Sequence, residues 1–196
     1  NYDLKFRGPV KIKEALAQSL NLPSVKILYL AGVEDTIDLA QKMGITTLTD
    51  RKRYGLSLVL GGGEVTLLEE TSAYGVFAQD GIRNAPTPIL SMTAHDGGIL
   101  EEFTPSPAKA LDPQIARLIT SILSSNDLRA PVFGEKNYLT LASIPSAAKT
   151  GTTQEYRDAW TVGYTPDITV GVWVGNNDNT QMHEAPGAAA AAPLWY

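Results

Sequence analysis

The chain has 196 residues, 16 Lys and Arg against 21 Asp and Glu for a formal charge of −5, 43% hydrophobic residues and no cysteine. That composition builds a cored domain and excludes intrinsic disorder; the acidic balance, with no basic stripe, speaks against nucleic-acid binding. Disulfide frameworks, thiolate-bound zinc or iron–sulfur clusters and thiol catalysis are excluded, and no apolar run is long enough to span a bilayer.

The first third predicts helices. Ile12, Ala15, Leu16, Ser19 and Leu20 share one helical face. Pro23 limits that helix, because the residue before a proline is biased away from the α region. Ser24 to Ala31 resumes the pattern and Gly32 stops it. Glu34 to Met43 is a third helix, with Gly44 as its C-terminal stop. The apolar run Leu56 to Leu60 leads into Gly61-Gly62-Gly63, and Thr66-Leu67-Leu68-Glu69 is a capping box opening a helix to about Gln79. Within it, Ala73, Gly75 and Ala78 suit close packing. Ile89 to Thr93 and Ile99 to Phe103 predict a hairpin around Asp96-Gly97. Asp112-Pro113 starts a further helix, with Ile115, Leu118, Ile119, Ile122 and Leu123 on its apolar face. Ala159 to Tyr164 and Ile168 to Val174 flank the turn Thr165-Pro166-Asp167 as an antiparallel pair. The tail, Ala185-Pro186-Gly187 followed by Ala188 to Ala192, is either a linker or the start of a helix. Helices, a hairpin and a segregated antiparallel sheet define the class as α+β. The chain opens on Asn1 and stops in the apolar Trp195-Tyr196, so it reads as a single partial domain of a longer protein.

Few residues suggest chemistry unaided. The triple glycine lacks the Lys-Ser/Thr of a phosphate loop and reads as a turn before a helix. His95 and His183, the only histidines, fall in a turn and a polar loop, without a nucleophile-elbow serine. The carboxylates are scattered, so neither a metal site nor a glycosidase pair is expected, and no cofactor. Lys149-Thr150-Gly151-Thr152 is different. At the end of a strand it presents an ammonium, two hydroxyls and an open backbone amide along one edge. Those groups suit a substrate carboxylate and a developing oxyanion. A lone Lys-Thr-Gly is common by chance, but Ser19-Leu20-Asn21 lies upstream of it. Ser-x-Asn (or Ser-Asp-Asn) and Lys-Thr-Gly are the second and third motifs of penicillin-binding proteins and class A β-lactamases.

The similarity extends along the chain. Arg7-Gly8-Pro9 through Ser19-Leu20-Asn21-Leu22-Pro23-Ser24-Val25, Leu58 to Leu68, Ala147 to Thr153, Asp158 to Pro166, Val172 to Gly175 and Ala191 to Trp195 resemble class A penicillin-binding proteins, in the C-terminal part of their transpeptidase domain. The resemblance implies an antiparallel sheet with helices on both faces, here without its first strands and its nucleophile helix. It implies a peptidoglycan D,D-transpeptidase whose serine, in a Ser-x-x-Lys motif, precedes Asn1. Ser106-Pro107-Ala108-Lys109 and Ser146-Ala147-Ala148-Lys149 match that motif literally but follow Ser19, so they are rejected; Ser124-Ser125-Asn126 is a second Ser-x-Asn at the end of a different helix.

By the same resemblance Ser19 relays a proton to the leaving amine, Asn21 holds the substrate amide, and Lys149 keeps the site electropositive. Thr150 and Thr152 hydroxyls bind the terminal carboxylate, the Thr152 N–H forms half of an oxyanion hole, and Gly151 leaves room for the ligand. The implied partners are D-Ala-D-Ala stem peptides and β-lactams. A glycosyltransferase domain, a membrane anchor upstream and an extracytoplasmic location are implied with them. Exposed sheet edges predict strand pairing or swapping of the isolated chain. Two alternatives are a hydrolase of the same superfamily, for which no Glu-x-x-Leu-Asn loop is present, and a non-catalytic module of this fold.

Overall fold

The computed structural model describes residues 6–183 and 185–196. Helix α1 (Ile12–Ala17) is shorter than its apolar pattern predicts. The chain turns at Ser19, whose φ of 57° is left-handed, and α2 (Asn21–Ala31) starts at once. Pro23 therefore lies in the first turn of α2, where its missing N–H costs nothing, and does not limit the preceding helix. Ser19 leaves the expected apolar face, and Ile12 is 65% exposed. Helix α3 (Val33–Met43) ends on Gly44 in the left-handed conformation, as predicted.

Two 3-10 turns, Arg51–Arg53 and Leu56–Leu60, lead to α4 (Leu67–Ala78). Thr66 Oγ1 accepts from Glu69 N at 3.2 Å, the N-cap half of the expected capping box. The other half is absent, because the Glu69 carboxylate accepts from Thr46 N, Thr46 Oγ1 and Thr47 Oγ1. It ties α4 to the segment behind α3.

Strands β1 (Ile82–Arg83) and β4 (Ala108–Lys109) form a small pair not foreseen from the sequence, and β2 (Ser91–Thr93) and β3 (Ile99–Glu102) form the predicted hairpin. Asp112 caps α5 (Pro113–Leu123), accepting from Gln114 N at 2.9 Å. Ala116, Ile122 and Leu123 are buried, whereas Ile115 and Leu118 of the predicted apolar face are exposed. Helix α6 (Asn126–Phe133) was not predicted.

Strands β5 (Ala147–Thr152), β6 (Asp158–Tyr164) and β7 (Thr169–Gly175) make an antiparallel sheet in that order. The alanine-rich tail is helical, as α7 (Gly187–Ala190) and α8 (Ala192–Trp195).

Register assigns the two faces of this sheet. Ala147 pairs with Tyr164, Lys149 with Val162 and Gly151 with Trp160, so these share one face; Ala148 with Gly163 and Thr150 with Thr161 share the other. Helix α4 covers the first, where Tyr74 and Phe77 meet the Tyr164 ring. Helices α7 and α8 cover the second, where Thr161 Oγ1 donates to Gly187 O at 3.4 Å and Trp195 Nε1 to Val170 O at 3.1 Å. The core divides likewise: Leu123, Ala147 and Tyr164 on one side, Leu139, Ala148 and Ala192 on the other. Helices flank both faces, as the α+β assignment expects. Among the described residues no helix is long and apolar enough to cross a membrane.

Candidate active site

The chemistry-bearing groups converge on the outer edge of β5. Thr153 N donates to Asp158 O at 3.1 Å, which sets the phase of the β5–β6 ladder. Bonded and non-bonded pairs alternate in an antiparallel pair, and the register runs without a break from Ala147 to Thr152. The main-chain groups of Lys149 and Gly151 therefore turn toward β6, and those of Thr150 and Thr152 turn outward. The Thr150 carbonyl is found there, accepting from Lys149 Nζ at 2.7 Å. Thr152 Oγ1 accepts from Gly187 N at 2.9 Å, which fixes the side chain and leaves its hydroxyl proton to donate. A Cβ on Gly151 would come within 3.3 Å of Trp160 Cβ, so glycine there also relieves the sheet itself.

Lys149 Nζ also donates to Ser19 Oγ at 2.6 Å, joining the two ends of the chain. Burial, and after it the charge of Arg129, pull the Lys149 pKa down to about 8. Ser19 pays about 1 kcal/mol for its left-handed backbone, and the turn places its hydroxyl over Lys149. Asn21, the first residue of α2, is exposed on the same cleft. Its side chain makes no hydrogen bond among the described residues.

The cleft encloses about 550 Å³. One wall is polar, with Ser19, Asn21 and residues 149–153; the other is largely apolar, with Leu16, Leu48, Val65 and Tyr74, and carries Glu70. Burial pushes the Glu70 carboxyl up, and the Tyr74 phenol with it. Sequence reasoning missed both; the signal was a carboxylate at 70 one helical turn before an aromatic at 74.

The decoys separate cleanly. Ser125 accepts from Leu128 N as the cap of α6, and Asn126 bonds Glu135 O, Asn137 and Thr140, so the second Ser-x-Asn holds a loop. Ser106 is exposed between β3 and β4, Ser146 leads into β5 without lining the cleft, and both histidines are exposed.

A model of the penicillin binding protein transpeptidase domain matches residues 1–195. The chain belongs to this transpeptidase family. Penicillin-binding protein 1A of Aquifex aeolicus is 35% identical over 196 residues, all of this chain and 26% of that protein. The Clostridium acetobutylicum protein of the same name is 32% identical over 200 residues, again all of this chain and 24% of that protein. The transpeptidase chain thus spans about a quarter of the length of these relatives. In structure it is similar to PonA1 of Mycobacterium tuberculosis, solved in complex with penicillin V, at a TM-score of 0.86 and 26% identity, over 100% of this chain and 57% of that one. Penicillin-binding protein 1A of Haemophilus influenzae shares the fold, with a TM-score of 0.83 at 23% identity, over 100% of this chain and 34% of that one.

Proposed function

We propose that this chain forms the Lys-Thr-Gly side of a serine D,D-transpeptidase that cross-links peptidoglycan stem peptides. The observation that carries the reading is the Lys149 Nζ–Ser19 Oγ hydrogen bond of 2.6 Å beside the open edge of β5. A serine outside these 196 residues attacks the D-Ala-D-Ala carbonyl, D-Ala leaves, and an amine of a neighbouring stem takes the acyl group. Ser19 passes a proton to the leaving amine and Lys149 keeps Ser19 polarised. Asn21 holds the substrate amide. The Thr150 and Thr152 hydroxyls take the terminal carboxylate, and Gly151 leaves the backbone open to the ligand. The outward Thr152 N–H stabilises the oxyanion, a contribution of about 10²–10³ in rate. β-Lactams acylate the same serine, in keeping with the penicillin V complex of PonA1. The work is done outside the cytoplasm, by a protein anchored through a segment beyond this chain, with a glycosyltransferase domain in the same polypeptide.

Fluorescent penicillin tests this on the 196-residue chain and on the longer protein containing it. Labelling of the longer form alone is expected. Labelling of the short form would move the nucleophile to Ser106 or Ser146. Labelling of neither would withdraw the roles of Ser19 and Lys149 and leave a binding module.

Among the described residues, neither β5 nor β7 has a strand on its outer side. The isolated chain is therefore expected to self-associate through these edges. Light scattering that shows only monomers at high concentration would refute that.

A further inference from the structure

Arg129 is a buried cation that the proposed reaction leaves unused. It lies on α6, is 3% exposed, and none of its partners is acidic. Nε donates to Ser125 O at 3.3 Å, Nη1 to Leu139 O at 3.1 Å and Nη2 to Leu123 O. A buried charge held only by carbonyls is costly to keep. Arg129 and Lys149 line one small apolar pocket, together with Leu123, Leu139 and Ala148. Two cations thus share a pocket whose lining contains no carboxylate. Two of the three carbonyls that Arg129 engages, those of Leu123 and Leu139, belong to residues of that lining, so they are taken as acceptors. The ammonium is left with Ser19 Oγ and Thr150 O.

We propose that Arg129 is a positioning residue for proton transfer between Lys149 and Ser19: it fills the acceptors behind the ammonium and holds a second positive charge there, directing Nζ to Ser19 Oγ. This deepens the transpeptidase reading and rests on it. In the step, Ser19 gives its proton to the leaving amine while a Lys149 Nζ–H bond breaks and Oγ–H re-forms; water then reprotonates the lysine.

The other charged and titratable groups facing Lys149 across the cleft are Glu64, Glu70, Tyr74 and Asp158. Glu64 is held by Arg53, and Asp158 by Thr153 and Trp173. Burial keeps Glu70 and Tyr74 toward their neutral forms. Arg129 is the charge that acts on Lys149, and it acts to loosen the proton.

The test uses the longer protein and two variants, Arg129→Gln and Arg129→Lys. The pH dependence of Lys149 acetylation by acetic anhydride, resolved by peptide mass spectrometry, needs no catalytic activity. In the unaltered protein the midpoint is expected near pH 8. In Arg129→Gln it rises by about one pH unit, and in Arg129→Lys by less, because removing a like charge favours the ammonium. The pH midpoint of penicillin acylation moves the same way. An unmoved Lys149 midpoint in folded Arg129→Gln overturns the proposal. So does an unaltered protein whose Lys149 titrates with ordinary exposed lysines, a result that stands even if neither variant folds. If the unaltered protein is not acylated at all while the amine midpoint shifts as expected, the transpeptidase reading fails, and this use of the proton with it.

Discussion

Replacing Lys149 by methionine is expected to slow acylation by orders of magnitude and at the same time to stabilise the protein. The loss of rate, about 10²–10⁴-fold, is that of a group that handles a proton in the transition state. The gain has the opposite origin. Lys149 is held with a pKa of about 8 against an ordinary 10.5, chiefly by burial. Between those values the unfolded chain binds more protons than the folded one, so stability rises with pH across that window. Below pH 8 the folded protein carries the full cost of the buried ammonium. Methionine removes that cost and also the hydrogen bonds to Ser19 and Thr150, for a net gain of about 2 kcal/mol at pH 7. The advantage fades as pH rises toward 10.5. Denaturant unfolding at pH 7 and pH 10 reads both arms. A Lys149→Met protein less stable than the parent at pH 7 would refute the argument, as would one labelled by penicillin at the parental rate.

Gly187→Ala is the second substitution with a large expected effect. Gly187 is buried behind β5 and β6, and a Cβ there would lie 2.6 Å from Trp160 O and would also strike Gly151 O. Both obstacles are main-chain carbonyls of the paired strands β5 and β6, so neither can swing aside. The expected cost is about 2–4 kcal/mol. Activity should suffer beyond stability, because Gly187 N fixes the Thr152 hydroxyl. Acylation by penicillin is expected to fall by about tenfold or more at a temperature where the variant is still folded. A variant that unfolds at the parental denaturant midpoint would show that the tail is loosely seated.

Much of this arrangement was legible in the residues. The glycine stops at 32 and 44, the Asp112-Pro113 helix start and the Thr165-Pro166-Asp167 turn between β6 and β7 are local signals, and local physics decides them. Ser19 and Lys149 were singled out from opposite ends of the chain and are hydrogen-bonded in the fold. What was hidden depends on distant partners or on unusual backbone. A serine in the left-handed region carries no sequence mark, so the break between α1 and α2 is invisible in the residues and Pro23 reads as the boundary instead. Glu69 was expected to cap its own helix, yet Thr46 and Thr47, more than twenty residues away, supply three donors and hold it. Helix α6 is short and carries Pro131 and a buried charge, so no helical pattern marks it in the sequence. Arg129 was missed with it, since its partners are carbonyls, which no side-chain pattern reveals.

The turn at Ser19 has a mechanical consequence. Helix α1 packs on α5 and α6, while α2 packs on α3 and the 3-10 turn at Leu56–Leu60. The serine is the hinge pin between two independently seated rods, and its hydroxyl is the pointer mounted on that pin. Any change in the angle between the rods swings the pointer relative to a lysine fixed on the sheet. The Ser19–Lys149 separation is therefore a gauge of helix geometry, and the hydrogen bond between them is kept only as firmly as both rods are clamped.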